Sequence, residues 1–225
     1  HSNATLTIED STIAFNETSW GGAGGGIYND NATLTILRSN IINNSVRSAG
    51  GGILSRGALT IIESTVSDNT AEGSNSAHGG GIYFDASYGE VIYIASTTFS
   101  GNYASAKGGA VYAGARAEIV YCTISGNTAD NIGGGIFTNR SLFLDNTTVT
   151  LNVANGSGGG LFAHTDQLVR TRNSVIAANS AGDNTSDISG VMVSLGYNLI
   201  GDIGPAGGFT DGVNGDQVGT SEAPI

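Results

Sequence analysis

The 225-residue chain carries 19 acidic against 8 basic side chains, a formal net charge of −11, with 36 glycines, 2 prolines and a single cysteine, Cys122. This balance excludes the basic footprint of a nucleic-acid binder and any pull toward anionic lipid surfaces, and one cysteine excludes both a disulfide framework and a cysteine zinc site. No apolar run reaches the ~18 residues of a membrane-spanning helix, and 12% charged residues are too few for a disordered polyanion.

Residues 1–8 do not read as a signal peptide. From the first strand, "ATLTI", three short patterns recur in fixed order. An alternating strand is placed around Ile8, Ile36, Ile61, Ile94, Ile119 and Leu144. A motif of the form STIxxN ends at Asn16, Asn44, Asn69, Asn102, Asn127, Asn152 and Asn179, with spacings of 28, 25, 33, 25, 25 and 27. A glycine run follows, ending on Ile27, Ile53, Ile82, Val111, Ile136 and Leu161. Strands this short bury nothing alone, so they must stack coil upon coil, each pairing with its equivalents at ~4.8 Å.

The pattern therefore predicts an all-β chain: a right-handed, single-stranded parallel β-helix of six to seven coils. Each coil has about 25 residues and three short strands. Residues 1–182 are assigned to the repeats, and 183–225, rich in Gly, Asp and Asn, to a C-terminal cap or anchor-proximal segment. Inward columns are expected at Leu6, Leu34, Leu59, Ile92, Ala117 and Leu142, at Ile8 and its equivalents, and at Val46, Ala71, Ala104, Ala129, Ala154 and Ala181. The asparagines are expected at a left-handed corner with amides bonded along the stack, and the glycines at a second, tight corner. Insertions at Glu72–His78 and Phe84–Glu90 are expected to form loops on the flank. At the other end, nothing before Leu6 reads as a cap. The first coil is expected to stack on further coils or on a neighbouring subunit.

Alternation places the residue after each glycine-run aliphatic outside. Tyr28, Tyr83, Tyr112, Phe137 and Phe162 then form one aromatic ladder on an outer wall, interrupted at Leu54, and are the candidate binding residues. Signals for chemistry are weaker. There is no Asp-Asp or Asp-x-Asp pair for acid and base work. Arg170 and Arg172 are two apart and can share a strand face, which suits solvation or salt bridging. His78 and His164 have no His or Cys partner nearby in sequence, and "DGVNGD" (Asp211 to Asp216) reads as a Gly/Asn turn before it reads as a calcium loop. Cys122 stands in a column of Ser11, Ser39, Ser64, Thr97 and Thr147 and reads as a small buried thiol. No catalytic residue, cofactor or metal site is predicted.

The segment "FSGNYASAKGGAV" (Phe99 to Val111) resembles the FxxN…GGA(I/V) repeat of chlamydial polymorphic outer membrane proteins, and "CTISGNTADNIGGGIF" resembles the same group of bacterial β-helix repeats. The C-terminal "DISGVMVSLGYNLIGD…GFTDGVNGD" resembles the choice-of-anchor Q domain of bacterial surface proteins. These resemblances imply an extracellular or cell-surface location on a bacterium. The expected function is a non-catalytic module for adhesion, ligand binding or surface structure, with a carbohydrate or protein ligand on an outer wall. Two alternatives stand beside it: a self-assembling fibre subunit with head-to-tail contacts, and a carbohydrate-active enzyme with an unfamiliar site.

Overall fold

The structure is a computed structural model that describes residues 4–19, 22–73, 76–86, 89–164, 168–183 and 187–225. The described residues form 31 strands and no helix. All pairings between strands are parallel, each to its equivalent one coil away, and they build four sheets of eight, nine, seven and seven strands. The chain is a parallel β-helix of about seven coils. Each coil carries the three expected strands and a fourth, a two-residue strand directly after the Asn position, as at Thr70–Ala71 and Thr128–Ala129. Two residues are too few to show an alternation, which is why the sequence pattern does not reveal this wall.

Along the coil, the first sheet runs from Thr5–Glu9 to Met192–Ser194 and the second from Thr12–Ala14 to Gln217–Val218. The third consists of the two-residue strands, and the fourth follows the glycine corner. Register places the aliphatic columns in line. Leu34 pairs with Leu59, Ile92 with Ala117, and Ile82 with Val111, and all are at most 2% exposed. Bulk is traded between coils, as close packing requires: Phe84 pairs with Ala113, and Ala115 and Ala117 occupy the same coil below it.

Two corners are held by polar ladders. Each Asn side-chain oxygen accepts the backbone N–H and one amide hydrogen of the Asn in the preceding coil. For Asn102 and Asn127 these distances are 3.0 and 2.9 Å. The other amide hydrogen goes to a carbonyl in the second-sheet strand of the preceding coil, as from Asn102 to Val66 at 2.9 Å. Every hydrogen-bonding group of an interior rung is thus paired, so these amides are buried without penalty. The second ladder runs through the Ser/Thr column. The N–H of Ser39 donates to Ser64 Oγ at 3.1 Å, and each hydroxyl donates to the carbonyl two residues back, as Ser64 does to Ile62 at 2.8 Å.

The left-handed turn expected at the asparagines belongs to the residue before them. Phe15, Asn43, Asp68, Leu151 and Ala178 all have φ between 55° and 58°, and Gly101 and Gly126 fill the same place. An equivalent left-handed residue precedes each Ser/Thr rung, among them Arg38, Glu63 and Tyr121. None of the rung asparagines is left-handed, and their amides bond along the stack. At the glycine corner, Gly108 has φ +67, and a Cβ on Gly109 would lie 2.2 Å from the Gly134 carbonyl oxygen. The third position is looser, since Ala110 occupies it fully buried.

The two ends differ. Leu6 is 53% exposed where its equivalents Leu34 and Leu59 are buried. At the far end, part of the segment expected as a cap continues the solenoid. Ile188–Ser189, Met192–Ser194 and Leu199–Ile200 add strands to three sheets, and Gln217–Val218 pairs with Leu199–Ile200.

Candidate functional site

The aromatic residues singled out in the sequence lie on the outer side of the fourth sheet, because Ile82, Val111, Ile136 and Leu161 on the same strands form the core. Tyr83, Tyr112, Phe137 and Phe162 stack in order, with centroids 4.7, 4.8 and 5.7 Å apart and planes within 12–28°. The ring of His78, from the first inserted loop, joins this stack 5.0 Å from Tyr112. Tyr28 stands apart, separated by the buried Leu54 and bonded instead to the Arg56 guanidinium at 2.7 Å.

This stacking governs what the ladder can present. A coil spacing near 4.8 Å brings successive rings face to face, so their faces contact one another and their edges point outward. Phe137 is only 2% exposed, with the Lys107 ammonium 4.9 Å above its ring, so the outward ladder is partly covered. Polar atoms remain at its rim. Tyr83 Oη donates to Asp85 Oδ2 at 3.1 Å, and Asn139 Nδ2 donates to Tyr112 Oη at 3.4 Å. His78 Nδ1 and Asn139 Oδ1 are buried with no partner. Burial, with the Lys107 charge adding to it, lowers the His78 pKa to about 4, so this imidazole is neutral at physiological pH. Burial also raises Tyr83 and Tyr112 above the ordinary phenol value.

The other residues of interest are accounted for by the fold. Cys122 is a rung of the Ser/Thr ladder, with Sγ 3.2 Å from the Val120 carbonyl. Burial pushes its pKa up to about 11, the opposite of an activated thiol. In "DGVNGD", Asp216 accepts from the Asn198 amide and Asp211 from the Val218 N–H, so both carboxylates hold turns and rungs. Among the described residues, no group of three or more His, Cys, Asp or Glu side chains is placed to hold a metal.

Sequence reasoning missed a groove on the outer face of the first sheet. It is an open cavity of about 440 Å³, lined by Arg116, Glu118, Ser141, Phe143, Leu168 and Arg170 at its surface. Register stacks Glu118, Phe143 and Arg170 in one outward column. The alternation of those strands was the available signal, but nothing in the one-dimensional pattern marks three successive, chemically different residues as neighbours. Arg172, on the same strand as Arg170, is bound to Asp145 at 2.6 Å.

Residues 96–114 and 121–139 match the Chlamydia polymorphic membrane protein repeat. Two successive coils of this parallel β-helix are similar to that repeat. Each matched segment of this repeat begins at the left-handed residue before a Ser/Thr-ladder position, Ser96 or Tyr121, and runs through the Asn rung and the glycine corner to the fourth-sheet strand. Each matched segment therefore covers about three quarters of a 25-residue coil and contains both ladders and the tight corner. No curated protein and no solved structure matches the chain.

Proposed function

We propose that this chain is an exported β-helix module displayed at a bacterial surface, where its outer walls serve adhesion or ligand binding without catalysis. The observation that carries this reading is the match of two successive coils to a repeat named for a chlamydial membrane protein. The acidic, Ser/Thr/Asn-rich exterior suits an aqueous extracellular setting. Surface labelling of intact cells of the source bacterium tests it. A membrane-impermeant biotin reagent, or protease added to whole cells, should reach the protein. A chain reached only after lysis contradicts the reading.

Two properties support binding over the fibre alternative. Ladder bonds all run one way, each coil donating to the next toward the C-terminus, and both ladders finish on acceptor-only carboxylates, Asp187 and Asp216. Head-to-tail stacking of the described coils would set the Asn16 oxygen of one copy against Asp187 of the next, acceptor against acceptor. The aromatic ladder of Tyr83, Tyr112, Phe137 and Phe162, with Tyr28 beside it, remains a candidate contact surface through its ring edges and phenol oxygens.

A further inference from the structure

The groove of the first sheet combines features that no structural role requires. Its central column presents, in successive coils, a carboxylate (Glu118), an apolar ring (Phe143) and a guanidinium (Arg170). Coil spacing puts the two charged groups about 10 Å apart with the ring between them.

The charges are not equivalent. Glu118 is already paired, accepting from the Arg116 guanidinium at 2.5 Å, so it needs no further cation and its remaining lone pairs suit hydroxyl donors. Arg172 is paired with Asp145. Among the described residues, Arg170 is the one lysine or arginine whose side chain has no hydrogen bond, ion pair or ring contact, although the chain carries eleven net negative charges. An unpaired guanidinium at the lip of a groove, in a protein with a surplus of carboxylates, is a recognition element for a carboxylate from elsewhere. Phe143 has no stacking partner among the described rings, unlike the rings of the fourth sheet. The Arg172 guanidinium lies over its ring, 5.6 Å from the centre.

We propose that this groove binds a carboxylate-bearing pyranose, the acidic sugar of a glycan. Arg170 takes the carboxylate in a forked hydrogen bond, Phe143 supports the apolar face of the ring, and the free oxygen of Glu118 accepts from the hydroxyls opposite the carboxylate. The order acid receptor, ring platform, hydroxyl acceptor matches the order of groups across one uronic acid residue. A single acidic sugar is favoured over a polyanion, because the net charge of −11 repels an extended anionic chain while one carboxylate meets the local cation. The cavity of about 440 Å³ falls within the ~300–1,000 Å³ range of small-ligand sites.

This inference adds a ligand class to the surface module proposed above. It is tested on the purified chain, so its failure leaves the location reading intact, and a failed location leaves the groove intact. The experiment titrates the full 225-residue chain with methyl β-glucuronide, methyl β-glucoside and acetate, followed by NMR shift mapping. Glucuronide should bind at least ten-fold more tightly than either comparator, with shifts clustered at Arg116–Glu118, Phe143 and Arg170. Arg170→Gln should remove the preference over glucoside, and because Arg170 is exposed it should leave the melting temperature unchanged. Phe143→Thr, the residue at the equivalent outward position Thr60, should weaken glucuronide about ten-fold and leave acetate unaffected. Equal affinity for glucuronide and acetate, unaltered binding in Arg170→Gln, or binding of an aspartate-bearing peptide in place of the sugar would each overturn the proposal.

Discussion

Asp187 Oδ1 accepts both the backbone N–H and the side-chain amide of Asn179, each at 2.8 Å, so a carboxylate closes a ladder that asparagines carry through the rest of the solenoid. Its second oxygen accepts the Asp202 N–H at 2.6 Å. The last rung has donors to receive and no following rung of this ladder to donate to, and a carboxylate, which only accepts, meets that need. Burial pushes the Asp187 pKa up, while these three N–H groups oppose the rise. Asp187→Asn therefore replaces an acceptor by an amide NH2 facing the Asp202 N–H. We expect a loss of roughly 1–3 kcal/mol in denaturant unfolding despite removal of a buried charge. Unchanged or increased stability would contradict this account of the ladder's end.

Cys122→Ser should be tolerated within about 1 kcal/mol, because the ladder elsewhere uses hydroxyls at this position, as at Thr97 and Thr147, and Ser restores the same bond to the Val120 carbonyl. With its pKa pushed up to about 11 and its side chain buried, the native thiol should not react with an aromatic disulfide reagent at pH 8, and should react on unfolding. Rapid labelling of the folded chain would show the site to be open.

Leu151 has φ +57 and is 64% exposed, so it bears the cost of a left-handed backbone without the return of burial. The equivalent residue two coils earlier is Gly101 at φ +64, and Asn43 holds the same place near the start. Leu151→Asn should raise stability by about 0.5–1 kcal/mol, read as a shift in the denaturation midpoint. A loss would mean that the exposed side chain packs against something.

His78 sets an acid limit. Its folded pKa, about 4, lies below the unfolded value of 6.5. The unfolded chain thus takes up a proton first as pH falls. The stabilising contribution is present above pH 6.5 and is lost as pH drops from 6.5 toward 4, by at most about 3 kcal/mol. His78→Phe keeps a ring on the Tyr83–Tyr112 stack and should flatten the stability profile in that window. An unchanged slope would show that His78 is not shielded.

The inward columns were legible because their alternation has a fixed period: Leu34, Leu59 and Ile92 sit in line as the spacing requires. The Asn ladder was legible as a repeat, but not its geometry. Which residue turns left-handed depends on the bond from the Asn amide back to a carbonyl of the preceding coil, and the exposed Phe15, Leu151 and Ala178 carry no residue-type signal for that turn. The aromatic column was visible as outward, yet its ring-on-ring contact and the cover from Lys107 arise from the coil spacing and from a neighbouring corner. The groove at Phe143 was hidden because its parts come from three strands, each unremarkable alone.

The most direct measurement compares Asn102→Ala with Asn16→Ala in urea unfolding. Asn102 is an interior rung that receives two bonds from Asn69, gives two to Asn127 and a third to the Val66 carbonyl, whereas Asn16 stands at the first rung, where its oxygen receives none from a preceding coil in the described chain. Removing the interior rung leaves several buried donors and acceptors unpaired and should cost about 3 kcal/mol or more, while the end rung should cost about 1 kcal/mol or less. That ordering is what a stack tied together by a one-way polar ladder predicts. Equal losses, or the greater loss at Asn16, would contradict it.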